Sequence, residues 1–274
     1  MARVSSQSSN VRLPGQIVVV KGAGQTPGAS IGNGRAISLL AAREGAIVVA
    51  VDRDLASAQE TVGLIRAEGG TAAAVRADVT SETDCAAIVA TVIASHGRID
   101  VLVNNVGIGG GDSSATKLAE DTWDLIHDVN LNGMWLTCKH VLPLMREKNK
   151  GAIINISSVA AECSTSFLAY KTSKAGFDAM THQLAMANAK RGIRVNAVAP
   201  GLMDTPMAIE GISQAIGVDP DALRQQRDGM VPLGNKMGTA WDVANAVIFL
   251  ASDRAAFITG VVLPVDGGQS ARIG

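Results

Sequence analysis

Tyrosine is nearly missing from this chain. Tyr170 is the only one among 274 residues, and aromatic residues of all kinds make up 3%. Neither sign of charge is in excess: 24 lysines and arginines face 25 aspartates and glutamates, for a net charge of −1. That balance argues against a nucleic-acid partner, which needs clustered positive charge. No apolar run reaches bilayer-spanning length, so no membrane partner is expected. The start, MARVSSQSSNVRL, lacks the apolar stretch of a signal peptide, and residues 1–13 read as a disordered leader. Cysteine is scarce too. Cys85, Cys138 and Cys163 are odd in number and far apart, which fits a reducing, cytoplasmic compartment and no disulfide framework. The four histidines share no ligand spacing with them, so no metal is expected.

What is abundant is apolar sequence, at 47%, against 18% charged, enough for a sizeable core. Short β-branched runs lie at 17–20, 47–51, 72–75, 101–103, 152–156, 193–198 and 261–265. Between them come helical patterns near 34–44, 55–68, 82–96, 121–148, 167–191 and 239–251. Continuous apolar strands alternating with helices imply a parallel sheet covered on both faces. The expected fold is therefore α/β, a Rossmann-like doubly wound sheet in one domain over 14–274. Residues 202–237 break the rhythm with scattered Gly, Pro and Met, and read as a lid-like insertion.

After the first strand comes KGAGQTPGASIGNGRAIS, carrying Gly22, Gly24, Gly28, Gly32 and Gly34 before a helix. Glycines let a backbone turn sharply and approach a pyrophosphate, and the helix N-terminus offers unpaired N–H groups. No G-K-[ST] follows, which excludes a P-loop. Asp52, just past the second strand, can accept hydrogen bonds from an adenosine ribose and repel a 2′-phosphate. It favours NAD, while Arg53 keeps NADP open. Farther on, in AYKTSK, Tyr170 and Lys174 stand at i and i+4 on a predicted helix, hence on one face.

Five motifs occur in strand register: VNNVGI at 103–108, DVNLNG at 128–133, INISS at 154–158, AYKTSK at 169–174 and NAVAPG at 196–201. With them the chain resembles the short-chain dehydrogenase/reductase family from about residue 14 to residue 268. The resemblance implies a seven-stranded Rossmann-type domain, a nicotinamide cofactor and a homotetramer. It implies that Tyr170 is the catalytic tyrosine, Lys174 its lysine, Ser158 the substrate-orienting serine and Asn130 the asparagine that holds a relay water. It places Asn104, Val106 and Gly107 on the adenosine side and Asp78 with Val79 beside the adenine. Pro200, Gly201 and Leu202 fall beneath the nicotinamide, with Thr205 contacting its carboxamide or phosphate. Counted back from GRAI, Gly32 and Gly34 take the pyrophosphate positions, with Gly22 opening the loop.

Three features depart from the family pattern. Lys21 stands where a threonine usually precedes the first glycine, the glycine loop is several residues longer, and the serine-to-tyrosine stretch is shorter. The shortening leaves Ser157 as a competitor for Ser158, which is preferred for its place relative to the strand. Lys21 either reaches a phosphate or points to solvent.

These residues suggest hydride transfer between NAD(H) and a small secondary alcohol or ketone. A free phenol titrates near ~10, and a nearby ammonium is expected to lower that value toward working pH. Two alternatives stand beside this reading: an NADPH-dependent 3-oxoacyl thioester reductase, and a nucleotide-binding regulator without turnover. Ile108, Val159, Cys163, Phe167, Met203, Met207, Ile209 and Ile212 suggest an apolar substrate pocket. Arg224 and Arg227 could meet a substrate carboxylate if the lid closes, with surface exposure the simpler reading.

Overall fold

The β-branched runs become parallel strands because helical crossovers cover both faces of their sheet. The computed structural model describes residues 11–163 and 165–272. In chain order the first elements are β1 (Ile17–Lys21), α1 (Asn33–Arg43), β2 (Ile47–Asp52), α2 (Leu55–Ala67), β3 (Thr71–Arg76), α3 (Glu82–His96) and β4 (Val101–Asn104). Next come α4 (Glu120–His127), α5 (Gly133–Lys148), β5 (Gly151–Ile156), α6 (Leu168–Asn188), β6 (Ile193–Pro200) and β7 (Met203–Asp204). The rest are α7 (Glu210–Ile216), α8 (Pro220–Asp228), β8 (Gly238–Thr239), α9 (Ala240–Ala251) and β9 (Val262–Val265).

Seven strands form one parallel sheet in the order β3-β2-β1-β4-β5-β6-β9, and β7 pairs with β8 apart from it. The order reverses between β1 and β4, which opens a crevice beyond the C-terminal strand ends. Alternate strand residues feed two cores. Val18, Val20, Val48 and Ile154 meet Ile37 of α1 and Val247 of α9. Val19, Val49, Leu102 and Ile153 meet Ile88 of α3, Val141 of α5 and Phe177 of α6. Pro264 sits in β9, an edge strand, where a missing N–H is tolerated. Among the described residues no helix is long and apolar enough to cross a membrane.

Three local differences from the sequence reading matter. Residues 1–10 of the expected leader lie outside the described residues, but Leu13 is fully buried and Arg12 N–H donates to Glu44 Oε2 at 2.7 Å. Packed structure thus begins inside the expected leader. The helix read over 121–148 is two helices, α4 and α5, joined by a π-turn at Asp128–Asn132. A one-residue insertion of this kind leaves no clear mark on hydrophobic periodicity, and it re-aims the side chains it carries. Finally, the 202–237 segment holds two short helices with a small core of Ile209, Leu223, Val231 and Met237.

Candidate active site

Helix α6 carries the phenol and the amine. None of its own side chains caps its N-terminus. The cap comes from a distant loop: Asp112 accepts from Tyr170 N–H at 2.7 Å and from Ala169 N–H at 3.1 Å. Negative charge is favourable there, and the bonds tie the β4–α4 loop to the turn bearing Tyr170. Lys171 Nζ donates to the carbonyls of Ala160, Ala161 and Cys163, which pins the stretch after Ser158. Sequence reasoning missed both residues, since long-range caps have no local spacing. The Asp112 carboxylate in a Gly-rich loop was the only available hint.

Ser158 and Tyr170 are brought together. The Ser158 hydroxyl is near enough to draw the phenol's value downward, and Ser158 Oγ accepts from Ala160 N–H at 3.1 Å. Ser157 turns away: it is buried, and its hydroxyl donates to Lys174 O at 3.4 Å. The geometry therefore favours Ser158 as the serine beside the phenol.

The ammonium does not act on the phenol as expected. Lys174 Nζ donates to Ile156 O at 2.8 Å and lies 5.6 Å from the Tyr170 ring centroid and 4.4 Å from that of Phe177. Desolvation pushes the phenol above its ordinary value, and the nearby Ser158 hydroxyl only offsets this in part. The same burial lowers Lys174 to about 8, with Asp178 pulling upward. The sequence reading assumed a charge effect where burial dominates.

Asn130, on the π-turn, is 1% exposed. Its Oδ1 accepts from Ile108 N–H at 2.8 Å, and its Nδ2 donates to Ile108 O and Ser173 Oγ, each at 3.0 Å. Both amide hydrogens are used, so the side chain clamps the loop after β4 and has no hydrogen left for a relay water. Gly107 brings backbone against Lys174: a Cβ there would lie 3.1 Å from Nζ.

The glycine loop fits an anionic nucleotide. Gly22 has φ +70°, and Gly34 packs directly on the Gly22 carbonyl. Asn105 Nδ2 donates to Gly22 O at 3.0 Å, another contact not foreseen. Helix α1 has no side-chain cap and no acidic residue in its first turn. Ser30 Oγ and Asn33 Oδ1 are buried there without partners. The uncapped backbone N–H groups and the orphaned Ser30 hydroxyl can donate to phosphate oxygens, whereas Asn33 Oδ1 can only accept. Gly32 is less open than expected, because its N–H already donates to Gln25 Oε1 at 3.0 Å.

Asp52 Oδ2 accepts from Gly24 N–H at 3.0 Å and Oδ1 from Asp54 N–H at 3.1 Å, while Asp54 caps α2. Asp78 follows β3, with its carboxyl held low by Thr80, and Val79 is buried against Gly133. Buried Asn104 donates to Asn155 Oδ1 at 2.9 Å, and Val106 contacts Gly22. After β6, Leu202 N–H donates to Gln269 Oε1 at 2.7 Å, which secures the Pro200–Gly201–Leu202 turn, and Thr205 is buried. Met203 and Ile209, expected in the substrate pocket, are 5% and 0% exposed and belong to cores.

Lys21 takes neither expected course. It is 1% exposed, and its Nζ donates to Gly133 O at 2.7 Å and Thr137 Oγ1 at 2.5 Å, just past the π-turn. Burial lowers it from 10.5 to about 8, with the Cys85 and Cys138 thiols nearby. Its folded value is below its unfolded one, so between about 8 and 10.5 the unfolded chain holds more protons and stability rises with pH. Lys174 contributes a similar rise. Lys21→Met should flatten that rise in denaturant titrations across the window, where Cys138, raised to about 11, works in the opposite direction. At pH 7 the variant should be at least as stable as wild type, since a buried charge is costly. An unchanged slope would contradict this account.

A family model described as enoyl-(acyl carrier protein) reductase matches residues 28–270. The 3beta-hydroxysteroid dehydrogenase 1 of Eggerthella lenta is 40% identical over 261 residues, covering 94% of this chain and 95% of that enzyme. The 3-oxoacyl-[acyl-carrier-protein] reductase FabG of Thermotoga maritima is 36% identical over 94% of this chain and 99% of its own length. A crystal structure of levodione reductase, 31% identical, matches with a TM-score of 0.88 over 96% of this chain and 100% of that one. The chain belongs to the short-chain dehydrogenase/reductase family, oxidoreductases that act on CH–OH or carbonyl groups with a nicotinamide cofactor.

Proposed function

We propose that this enzyme exchanges a hydride between NAD(H) and an apolar secondary alcohol or its ketone. The observation that carries this reading is the cluster of Tyr170 and Lys174 at Gly107, with Lys174 Nζ 5.6 Å from the phenol ring and Ser158 drawing the phenol's value downward. In oxidation, the Ser158 and Tyr170 hydroxyl groups hold the substrate oxygen and Tyr170 Oη receives its proton. Bound NAD supplies the acceptor for the hydride that leaves carbon. Lys174 presents its ammonium at Gly107, where a ribose hydroxyl can meet it. In reduction Tyr170 returns the proton to the carbonyl oxygen. The protein contributes position and electrostatics to chemistry that the cofactor carries.

Asp52, at the β2 end, supports NAD over NADP because its carboxylate opposes a 2′-phosphate. Arg53 and Arg76 supply positive charge near Asp78 and favour a second reading, NADPH-dependent reduction of 3-oxoacyl thioesters. The hydroxysteroid relative supports a bulky apolar substrate, as do half-exposed Met207 and Phe167 near the site. Initial rates with NAD+ and NADP+ on aliphatic, cyclic and steroid secondary alcohols test the proposal. Turnover with NAD+ on at least one bulky alcohol is expected; turnover confined to NADPH and thioesters would favour the second reading.

We expect a homotetramer. Leu125 and Trp135 on α4 and α5 are about half exposed, and Phe249 and Phe257 are exposed on another face. Such apolar groups suit isologous contacts. A monomeric mass in solution would refute the tetramer.

A further inference from the structure

The lid helices hold one well-neutralised arginine and one that is not. Arg224 Nη2 meets Glu210 Oε1 at 2.7 Å, Nη1 meets Asp221 at 2.8 Å, and Nε meets Asp204 at 3.3 Å. Asp219 accepts from Ala222 N–H at 2.9 Å, and Asp228 from Met237 N–H at 2.8 Å. The acids around α8 are thus engaged. Arg227, one turn beyond Arg224, has no carboxylate within 4.0 Å among the described residues. Its Nη1 donates to Ala208 O at 2.5 Å, while its Nε is buried without a partner. Glu210 Oε2 is also buried and unpartnered, yet it is not within ion-pair reach of Arg227. Desolvation presses on the guanidinium with no anion to compensate. Arg227 is half-buried, with a buried Nε–H that has no partner among the described residues, so its fork can take a partner that those residues do not supply.

Its placement indicates where that partner comes from. Ala208 belongs to a turn closed by Thr205 O, which accepts from Ala208 N–H at 3.0 Å and Ile209 N–H at 2.9 Å. That turn follows β7, close after the C-terminal end of β6. On its other side it touches the glycine loop: Ala29 N–H donates to Glu210 Oε1 at 3.2 Å, and a Cβ on Gly28 would lie 2.8 Å from Pro206. Arg227 therefore ties α8 to the 205–210 turn, and that turn meets the lengthened glycine loop.

We propose that Arg227 is the lid's receptor for an oxyanion (carboxylate, sulfonate or phosphate) that enters the crevice on the substrate or on the cofactor. Planar bidentate recognition of such groups is what a guanidinium does best. The substrate source rests on the oxidoreductase reading above; the cofactor source needs only nucleotide binding. Arg224 stays committed to its three carboxylates and serves as the ionic tie between the lid helices.

Wild type, Arg227→Met and Arg227→Lys distinguish the sources. Melting in sulfate against chloride at matched ionic strength should show a sulfate-dependent rise in wild type that Arg227→Met loses. NADH fluorescence titration reads the cofactor source, with a tenfold weaker Kd expected in Arg227→Met if the anion is a cofactor phosphate. KM for 3-hydroxybutyrate against cyclohexanol reads the substrate source, with a tenfold rise for the acid alone if the anion is on the substrate. Arg227→Lys keeps the charge without the fork and should fall between, which also covers a Met variant that does not fold. Equal sulfate response, NADH affinity and KM ratio in all three proteins would overturn the proposal. The melting and NADH arms involve no turnover, so they stand even if no alcohol is oxidised.

Discussion

Tyr170→Phe is expected to lower kcat for alcohol oxidation by about 10²–10⁴-fold, the usual worth of a positioned general base. NADH affinity should change little, because the ring and helix remain. No other phenol exists in the chain to substitute. The pH dependence carries a sign that follows from burial. The phenol sits above its ordinary value in the unliganded protein, so near neutrality it is protonated and ready to donate. Carbonyl reduction should therefore proceed well at neutral pH and fall at alkaline pH. Alcohol oxidation needs the phenolate and should climb as pH rises. Paired pH–rate profiles with purified enzyme measure both limbs. An oxidation rate flat across neutral and alkaline pH, or full activity in Tyr170→Phe, would remove the proton-transfer role.

Gly34→Ala should be the most damaging one-carbon change in the cofactor crevice. A Cβ there would fall inside the contact radius of the Gly22 carbonyl oxygen and lie 2.7 Å from Asn105 Nδ2. Neither neighbour can retreat cheaply. The Gly22 carbonyl is backbone at φ +70°, and Asn105 is bonded to it. Overpacking of this kind costs about 1–3 kcal/mol, more when backbone must move. At 1.4 kcal/mol per decade, NADH affinity should fall roughly tenfold to a hundredfold. Gly110→Ala is the matched control, since a Cβ there meets nothing within 4 Å. Fluorescence titration and thermal melting compare the two. Equal behaviour of the two variants would mean that the tight turn does not set the cofactor site.

The legible part of this protein was the part governed by local pattern. Seven apolar runs marked the seven sheet strands to within two residues at each end, because inner strands buried on both faces must be apolar throughout, while the edge strands β3 and β9 are only partly covered. The Asp54 cap of α2 is of the same local kind, with partners two and three residues away. Tyr170 and Lys174 were readable as neighbours because a helix places i and i+4 on one face. The π-turn was hidden, since α4 and α5 read as one amphipathic stretch. Hidden too was Asp112, whose partners are 57 and 58 residues away along the chain.

The sequence by itself determined the doubly wound sheet, the glycine turn and the order of the chemical groups, since those depend on periodicity and short spacing. Only the tertiary structure decided the electrostatics. Burial rather than a neighbouring charge controls Tyr170, the same effect holds Lys21 and Lys174 near 8, and among the described residues folding leaves Arg227 without a carboxylate. Desolvation depends on what surrounds a group in three dimensions, and residues far apart in the chain supply those surroundings.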